Sequence, residues 1–168
     1  MIRIYLTNLG KYNEGELVGK WIDLPTINGF DEDLKEIGIN EEYEEWFITD
    51  YETDIDGLKI SEYSNIEELD ELAKNLEDLL YYEKEVIEAL IFEGYTLEDA
   101  LDKKDDCMIY YNCNDMEDVA REYIEQCGLL NDVSDILQNY FDFEAYGRDM
   151  SYEGHFVFTN YGNCVQIL

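Results

Sequence analysis

Short alternating runs of apolar and polar residues mark both ends of the chain, and helical spacing fills the stretch between them. Over residues 2–9, Ile2, Ile4 and Leu6 alternate with Arg3, Tyr5 and Thr7, while residues 17–24 are rich in Val, Ile and Trp, so both runs predict strands. The intervening LGKYNEGE, with two glycines and Asn13, predicts a hairpin loop of more than two residues. Its acids, and the lack of a helix after it, argue against a phosphate cradle. Pro25 ends the second strand, Asp31 is the expected cap of a short helix through Ile37, and residues 43–51 set Trp46 and Ile48 against Phe47 and Thr49 as a third strand. Residues 1–61 thus read as a small ββαβ unit.

The apolar period then changes. Ser64 with Glu67 forms an expected capping box, and Ile66, Leu69, Leu72, Ala73, Leu76, Leu79 and Leu80 follow at helical spacing. A second helix is expected over residues 83–92, with Gly94 stopping it. Thr96 with Asp99 caps a third, short one through Leu101, which makes residues 62–105 an all-helical unit. A strand at 107–111 opens the last unit, residues 106–168. There Asn114 with Glu117 reads as a capping box, Met116, Val119, Ala120, Tyr123, Ile124 and Cys127 form an apolar stripe, and Gly128 sits where a helix stops. A short helix ending near Tyr140, with Val133, Ile136 and Leu137 inward, a second around 141–150 and a hairpin of residues 154–160 and 164–168 complete it. The fold class is α+β, an elongated chain of three small units.

Charge changes this picture most. With 42 Asp and Glu against 11 Lys and Arg, the formal net charge is −31, whereas solubility of a small domain needs a magnitude of only about 2 to 8. Such density repels itself and opposes a compact state, yet 46% apolar and 14% aromatic residues are too many for a disordered acidic tail. The charge is also directional: residues 1–30 balance three acids with three cations, while residues 31–56 carry twelve acids and only Lys35 against them.

Ordinary chemistry finds little support. No carboxylate pair stands out for acid–base work, His155 lacks a triad context, and no nucleophile motif, Walker loop or dinucleotide fingerprint is present. The spacing of Glu52, Asp54, Asp56 and Gly57 is like the start of a calcium loop, but Tyr63 stands where a bidentate Glu is required. Cys107, Cys113, Cys127 and Cys164 lack close paired spacing and read as core thiols of a reducing compartment. No apolar run approaches the roughly 20 residues of a membrane span. The expectation is a cytoplasmic protein that is not an enzyme and has no cofactor, no metal and no membrane partner.

The charge itself is then the candidate function. Carboxylates at i, i+3 and i+4 of a helix stand about 5–6 Å apart, near the spacing of successive phosphates along one DNA strand, so acidic helices imitate a phosphate rail. The candidate surface comprises Asp31, Glu32, Asp33, Glu36, Glu41, Glu42, Glu44 and Glu45 in the first unit. It continues through Glu67, Glu68, Asp70, Glu71, Glu77, Asp78, Glu85, Glu88 and Asp99 in the second and Asp115, Asp118, Glu122, Glu125, Asp132 and Asp135 in the third. The alternative is an acidic adaptor or ion-binding protein that holds a basic partner without displacing DNA.

The opening IRIYLTNLGKYNEGELVGKWIDLP, the run DVAREYIE and the segment LQNYFDFEAYGRDM resemble the ArdA antirestriction proteins, with residues 61–106 sharing only acidic and helical character. That resemblance implies a non-catalytic, dimeric mimic of B-form DNA. Its partner would be a Type I restriction-modification enzyme, at the methyltransferase core and its DNA-specificity subunit, with nucleic acid itself no ligand. Residues 154–168 carry no charge apart from His155, which suits either an inner strand pair of the local sheet or the homodimer contact, the latter expected in the last unit at Leu129, Phe141, Phe156 and Phe158. Two copies carry about 62 charges, twice 31, which at one per ~1.7 Å of duplex axis cover at most about 105 Å. X-ray scattering should therefore give the dimer a radius of gyration near 30 Å, that of a thin rod, and a value close to 20 Å, as for a compact body of this size, would contradict the rail.

Overall fold

The computed structural model describes residues 1–168 as two units, Met1–Lys84 and Glu85–Leu168. In the first, the expected alternation becomes a three-stranded antiparallel sheet of β1 (Ile2–Asn8), β2 (Gly19–Leu24) and β3 (Trp46–Thr53), with β1 central. Ile2, Ile4 and Leu6 of β1 are fully buried, and Ile22, Leu24, Phe47 and Ile48 join them. The loop between β1 and β2 contains a helical turn, α1 (Leu9–Asn13), which the glycine-rich sequence concealed. Buried Asn8 nucleates it: its side-chain oxygen accepts from the Lys11 amide at 2.9 Å while its amide donates to the Ile37 carbonyl at 3.1 Å.

Helix α2 (Asp31–Glu36) begins after Phe30, so Asp31 lies inside the first turn, where its charge meets the helix dipole, rather than at the cap. Helix α3 (Ile66–Glu77) is capped by Asn65, not Ser64; the Asn65 oxygen accepts from the Glu67 and Glu68 amides at 3.0 and 3.2 Å. Asn caps a helix at least as well as Ser, and one residue of slippage costs nothing when the two are adjacent.

One acid ties α3 to the end of β2. Asp70, 5% exposed, accepts from the Thr26 amide at 2.6 Å and from the Lys74 ammonium at 2.7 Å. Burial, the largest single influence, pushes its carboxyl up, and the bonds from Lys74 and Thr26 more than offset it, so the group titrates below its usual range. A carboxylate depressed on folding contributes stability above its unfolded pKa of about 3.9 and loses it as pH falls through the folded value. Asp70→Ala should cost about 1–3 kcal/mol at pH 7 by leaving the Thr26 amide unpaired. In thermal unfolding the gap between variant and wild type should narrow at pH 3; an equal gap at both pH values would remove the carboxylate from the account.

The division between units falls inside α4 (Tyr81–Phe92). Where the sequence sets apart a helical stretch over 62–105, α3 lies in the first unit, whereas most of α4 and all of α5 (Leu97–Lys103) belong to the second. There a second antiparallel sheet runs β4 (Cys107–Tyr110), β6 (Cys164–Ile167), β5 (His155–Phe158), with β6 central. Against it stand α6 (Met116–Cys127) and α8 (Phe143–Glu153), with the single exposed turn α7 (Asp135–Gln138) between them in the chain. Tyr110, Cys113, Val119 and Cys164 form the core, with Met116, Tyr123, Met150 and Phe156 packed against it. Burial pushes the Tyr110 phenol and the Cys164 thiol each up to about 12, as expected of structural groups. Cys127, placed on the apolar stripe by its spacing, is exposed.

Thr96 caps α5 as expected, accepting from the Asp99 amide at 3.1 Å and donating to its carboxylate at 2.7 Å. For α6 the cap moves one residue on. Asp115 accepts from the Asp118 amide at 2.9 Å and Asp118 accepts from the Asn114 amide at 3.0 Å, closing a reciprocal box with an acid at both ends. Gly128 ends the helix with φ of 64°, in the left-handed region that favours glycine. No helix is long and apolar enough to cross a membrane.

Candidate functional site: the carboxylate surface

The few cations of this chain are held by particular acids, which decides where negative charge is left over. Arg3 bridges Asp23 and Glu52, Lys11 bridges Glu14 and Glu16, Lys84 and the N-terminal amine meet on Asp54, and Lys104, Arg121 and Arg148 pair with Asp105, Glu117 and Asp149. The Tyr43 hydroxyl and Lys11, in that order, hold Glu14 below the usual carboxylate range. Eight of the eleven cations are engaged in this way, counting Lys20 and Lys74 with those named. Eight of their eleven acidic partners lie outside the candidate surface.

In the first unit the exceptions are Lys74, held by the buried Asp70, and Lys20, whose ammonium lies 2.6 Å from Asp33 and 2.5 Å from Glu36 and so neutralises two of the four acids on α2. Asp31 and Glu32 of the same helix remain exposed, as do Glu41, Glu42, Glu44 and Glu45 in the segment before β3. That segment is held by Asn40, whose side-chain oxygen accepts from the Glu42 and Tyr43 amides at 2.8 and 3.1 Å, so its four carboxylates project from a fixed turn. On α3, Glu67, Glu68, Glu71, Glu77 and Asp78 are exposed.

In the second unit Asp115, Asp118, Glu122 and Glu125 line one face of α6, with Asp115 and Glu125 exposed and the other two half-buried. Ten residues at ~1.5 Å each place four carboxylates along about 15 Å, or one per ~5 Å. One DNA strand carries a phosphate per ~3.4 Å of axis. A single helical stripe therefore reaches about two-thirds of one strand's density, and neighbouring exposed acids such as Asp132 and Asp135 must supply the rest. Asp99 on α5 is exposed beside its cap.

Three candidate acids are not on the surface. Asp70 is the buried tie described above, and Glu85 and Glu88 are 2% and 7% exposed. Glu85 receives the Asn163 side-chain amide at 3.0 Å on both oxygens and the Thr159 hydroxyl on one, while Glu88 receives the Tyr161 hydroxyl at 3.0 Å. These carboxylates clamp the turn between β5 and β6 onto α4. Neutral donors satisfy the buried carboxyl oxygens, as burial requires.

His155 faces solvent on β5 with its Nε2 at 2.7 Å from the Glu93 carboxylate. Around the expected dimer contact, Phe156 is half-buried against the unit's own core, and Phe141 packs edge-on to Phe143 at 4.9 Å between ring centres. Leu129 and Phe158 are exposed. So are Ile136 and Leu137, expected inward: α7 is one turn long and has no second turn to fix an inner face.

Fold and surface together define an acidic α+β protein whose exposed carboxylates far outnumber its cations. The chain belongs to the ArdA antirestriction protein family, whose model, "Antirestriction protein (ArdA)", matches residues 4–165. Membership makes it an antirestriction protein directed at restriction enzymes. A comparison with curated proteins found no match.

Proposed function

We propose that this chain blocks a Type I restriction-modification enzyme by occupying its DNA-binding groove as a non-catalytic mimic of B-form DNA, acting as a homodimer on the methyltransferase core and its DNA-specificity subunit. The observation that carries this reading is the segregation of charge. Apart from Lys20 on Asp33 and Glu36 and Lys74 on Asp70, the paired cations meet acids outside the candidate surface, leaving Asp31, Glu32, Glu41, Glu42, Glu44, Glu45 and the exposed acids of α3 and α6 to meet a basic groove. Complementary potential of this kind steers association and releases ions as DNA does. Titration of the protein into the enzyme holding a labelled duplex tests it. Stoichiometric release of the duplex at moderate salt supports mimicry; binding without release would instead make the chain an acidic adaptor.

The homodimer contact proposed lies in the second unit, where Leu129 is exposed and Phe158 is exposed within residues 154–168, which carry no charge apart from His155. Phe158→Asp, at the solvent-facing end of edge strand β5, should shift the protein to monomer by light scattering while leaving its circular dichroism unchanged. A variant that stayed dimeric would move the contact away from β5.

A further inference from the structure

The mimic carries one feature that a phosphate rail does not explain. In the first unit a cleft of about 310 Å³ opens where β3 begins, lined by Trp46, Phe47 and Ile48 on one side and by residues 62–67 on the other. The two walls are joined by the Ile48 amide, which donates to the Glu62 carbonyl at 2.8 Å. Tyr63, exposed by 72%, stacks over buried Phe47 with ring centres 6.3 Å apart and planes at 24°. Trp46 is half-exposed, and Glu62 and Glu67, both exposed, also line the cleft.

Aromatic faces beside carboxylates form a receptor for a cation. The ring quadrupole attracts the charge, the flat face accepts a planar guanidinium, and the carboxylates accept its N–H groups. An exposed Tyr on a strongly negative surface has no role in imitating phosphates. We propose that this cleft takes an arginine side chain of the basic partner, so that the mimic has one anchor within an otherwise diffuse electrostatic contact. The inference rests on the partner being a basic DNA-binding groove, as in the proposed function, and charge complementarity commits the cleft to arginine rather than to an apolar side chain.

Two experiments test it. In the first, the duplex-release titration is run with Trp46→Leu, Trp46→Phe and Tyr63→Leu. Loss of a ring face should weaken release roughly tenfold for either Leu variant, with Trp46→Phe restoring most of it. The dependence on salt should be unchanged, because no charge has been removed; neutralising an acid lowers that dependence instead. Tyr63 is exposed enough for its variant to fold whatever becomes of Trp46. Release by wild type that Tyr63→Leu and Trp46→Leu match would overturn the anchor while leaving mimicry intact, whereas no release by wild type would sink the mimicry reading. In the second, N-acetylarginine amide is titrated into the isolated protein, reading the Trp46 indole N–H by NMR, assigned with Trp21→Phe. A saturable shift that N-acetylglutamine amide and N-acetylleucine amide do not produce supports the anchor. Equal shifts from all three, or none from the arginine compound, overturn it.

Discussion

Replacing Glu41, Glu42, Glu44, Glu45, Glu71, Glu77, Glu125 and Asp132 together by their amides should raise the concentration needed to release duplex from a Type I enzyme about a thousandfold. All eight are exposed. An exposed ion pair contributes roughly 0.2–1 kcal/mol, so eight at about 0.5 each amount to ~4 kcal/mol, or close to three decades of affinity. Neighbours such as Glu41 and Glu42 share partners and will not add fully. Any one change, Glu71→Gln for example, should cost less than about fivefold. The net charge falls from −31 to about −23, still far beyond what solubility needs. Less self-repulsion should leave the unfolding midpoint unmoved or higher, which separates lost contact from lost fold. Full inhibition by the eightfold variant, or its abolition by one of the eight alone, would defeat a distributed rail.

The omission of Asp70, Glu85 and Glu88 from that set shows what could be read in advance and what could not. Period-two runs identified β1 and β3, because one buried face forces Ile2, Ile4 and Leu6 inward whatever else happens, and the Val, Ile and Trp content of residues 17–24 identified β2. Caps slipped by one residue wherever Ser, Asn and Asp stood side by side, as at Ser64–Asn65 and Asn114–Asp115, since each satisfies the same orphan amides.

Residue type alone sent Glu85 and Glu88 to the surface, yet their helix held a warning. Val86, Ile87, Ala89, Leu90 and Ile91 surround them and leave no solvated face, and a helix apolar nearly all round is buried. The donors were visible too, in the uncharged polar residues Thr159, Tyr161 and Asn163 of an otherwise apolar hairpin; their distance of over seventy residues from α4 was not. Isoleucine and leucine at 136 and 137 failed in the opposite direction, because apolar type predicts burial only where the element is long enough to present a face.

Gly147→Val should destabilise the second unit by about 3 kcal/mol or more, the upper end of what overpacking usually costs. Gly147 is buried on α8, where the helix crosses the start of α6. A Cβ placed there would lie 2.1 Å from the Met116 carbonyl oxygen and 2.6 Å from its carbon. Both are backbone atoms of the first turn of α6, so no side chain can swing aside, and the helices must move apart by more than 1 Å to restore ordinary contact. That movement loosens Met116 and Met150, which pack on the core of Tyr110, Val119 and Cys164. Helix propensity pulls the other way, because Ala in mid-helix is favoured over Gly by about 1 kcal/mol. Gly147→Ala therefore gives the sharper test, and the backbone clash should still win, lowering the urea midpoint relative to wild type. An unchanged or raised midpoint for Gly147→Ala would mean that α6 and α8 are not in close backbone contact.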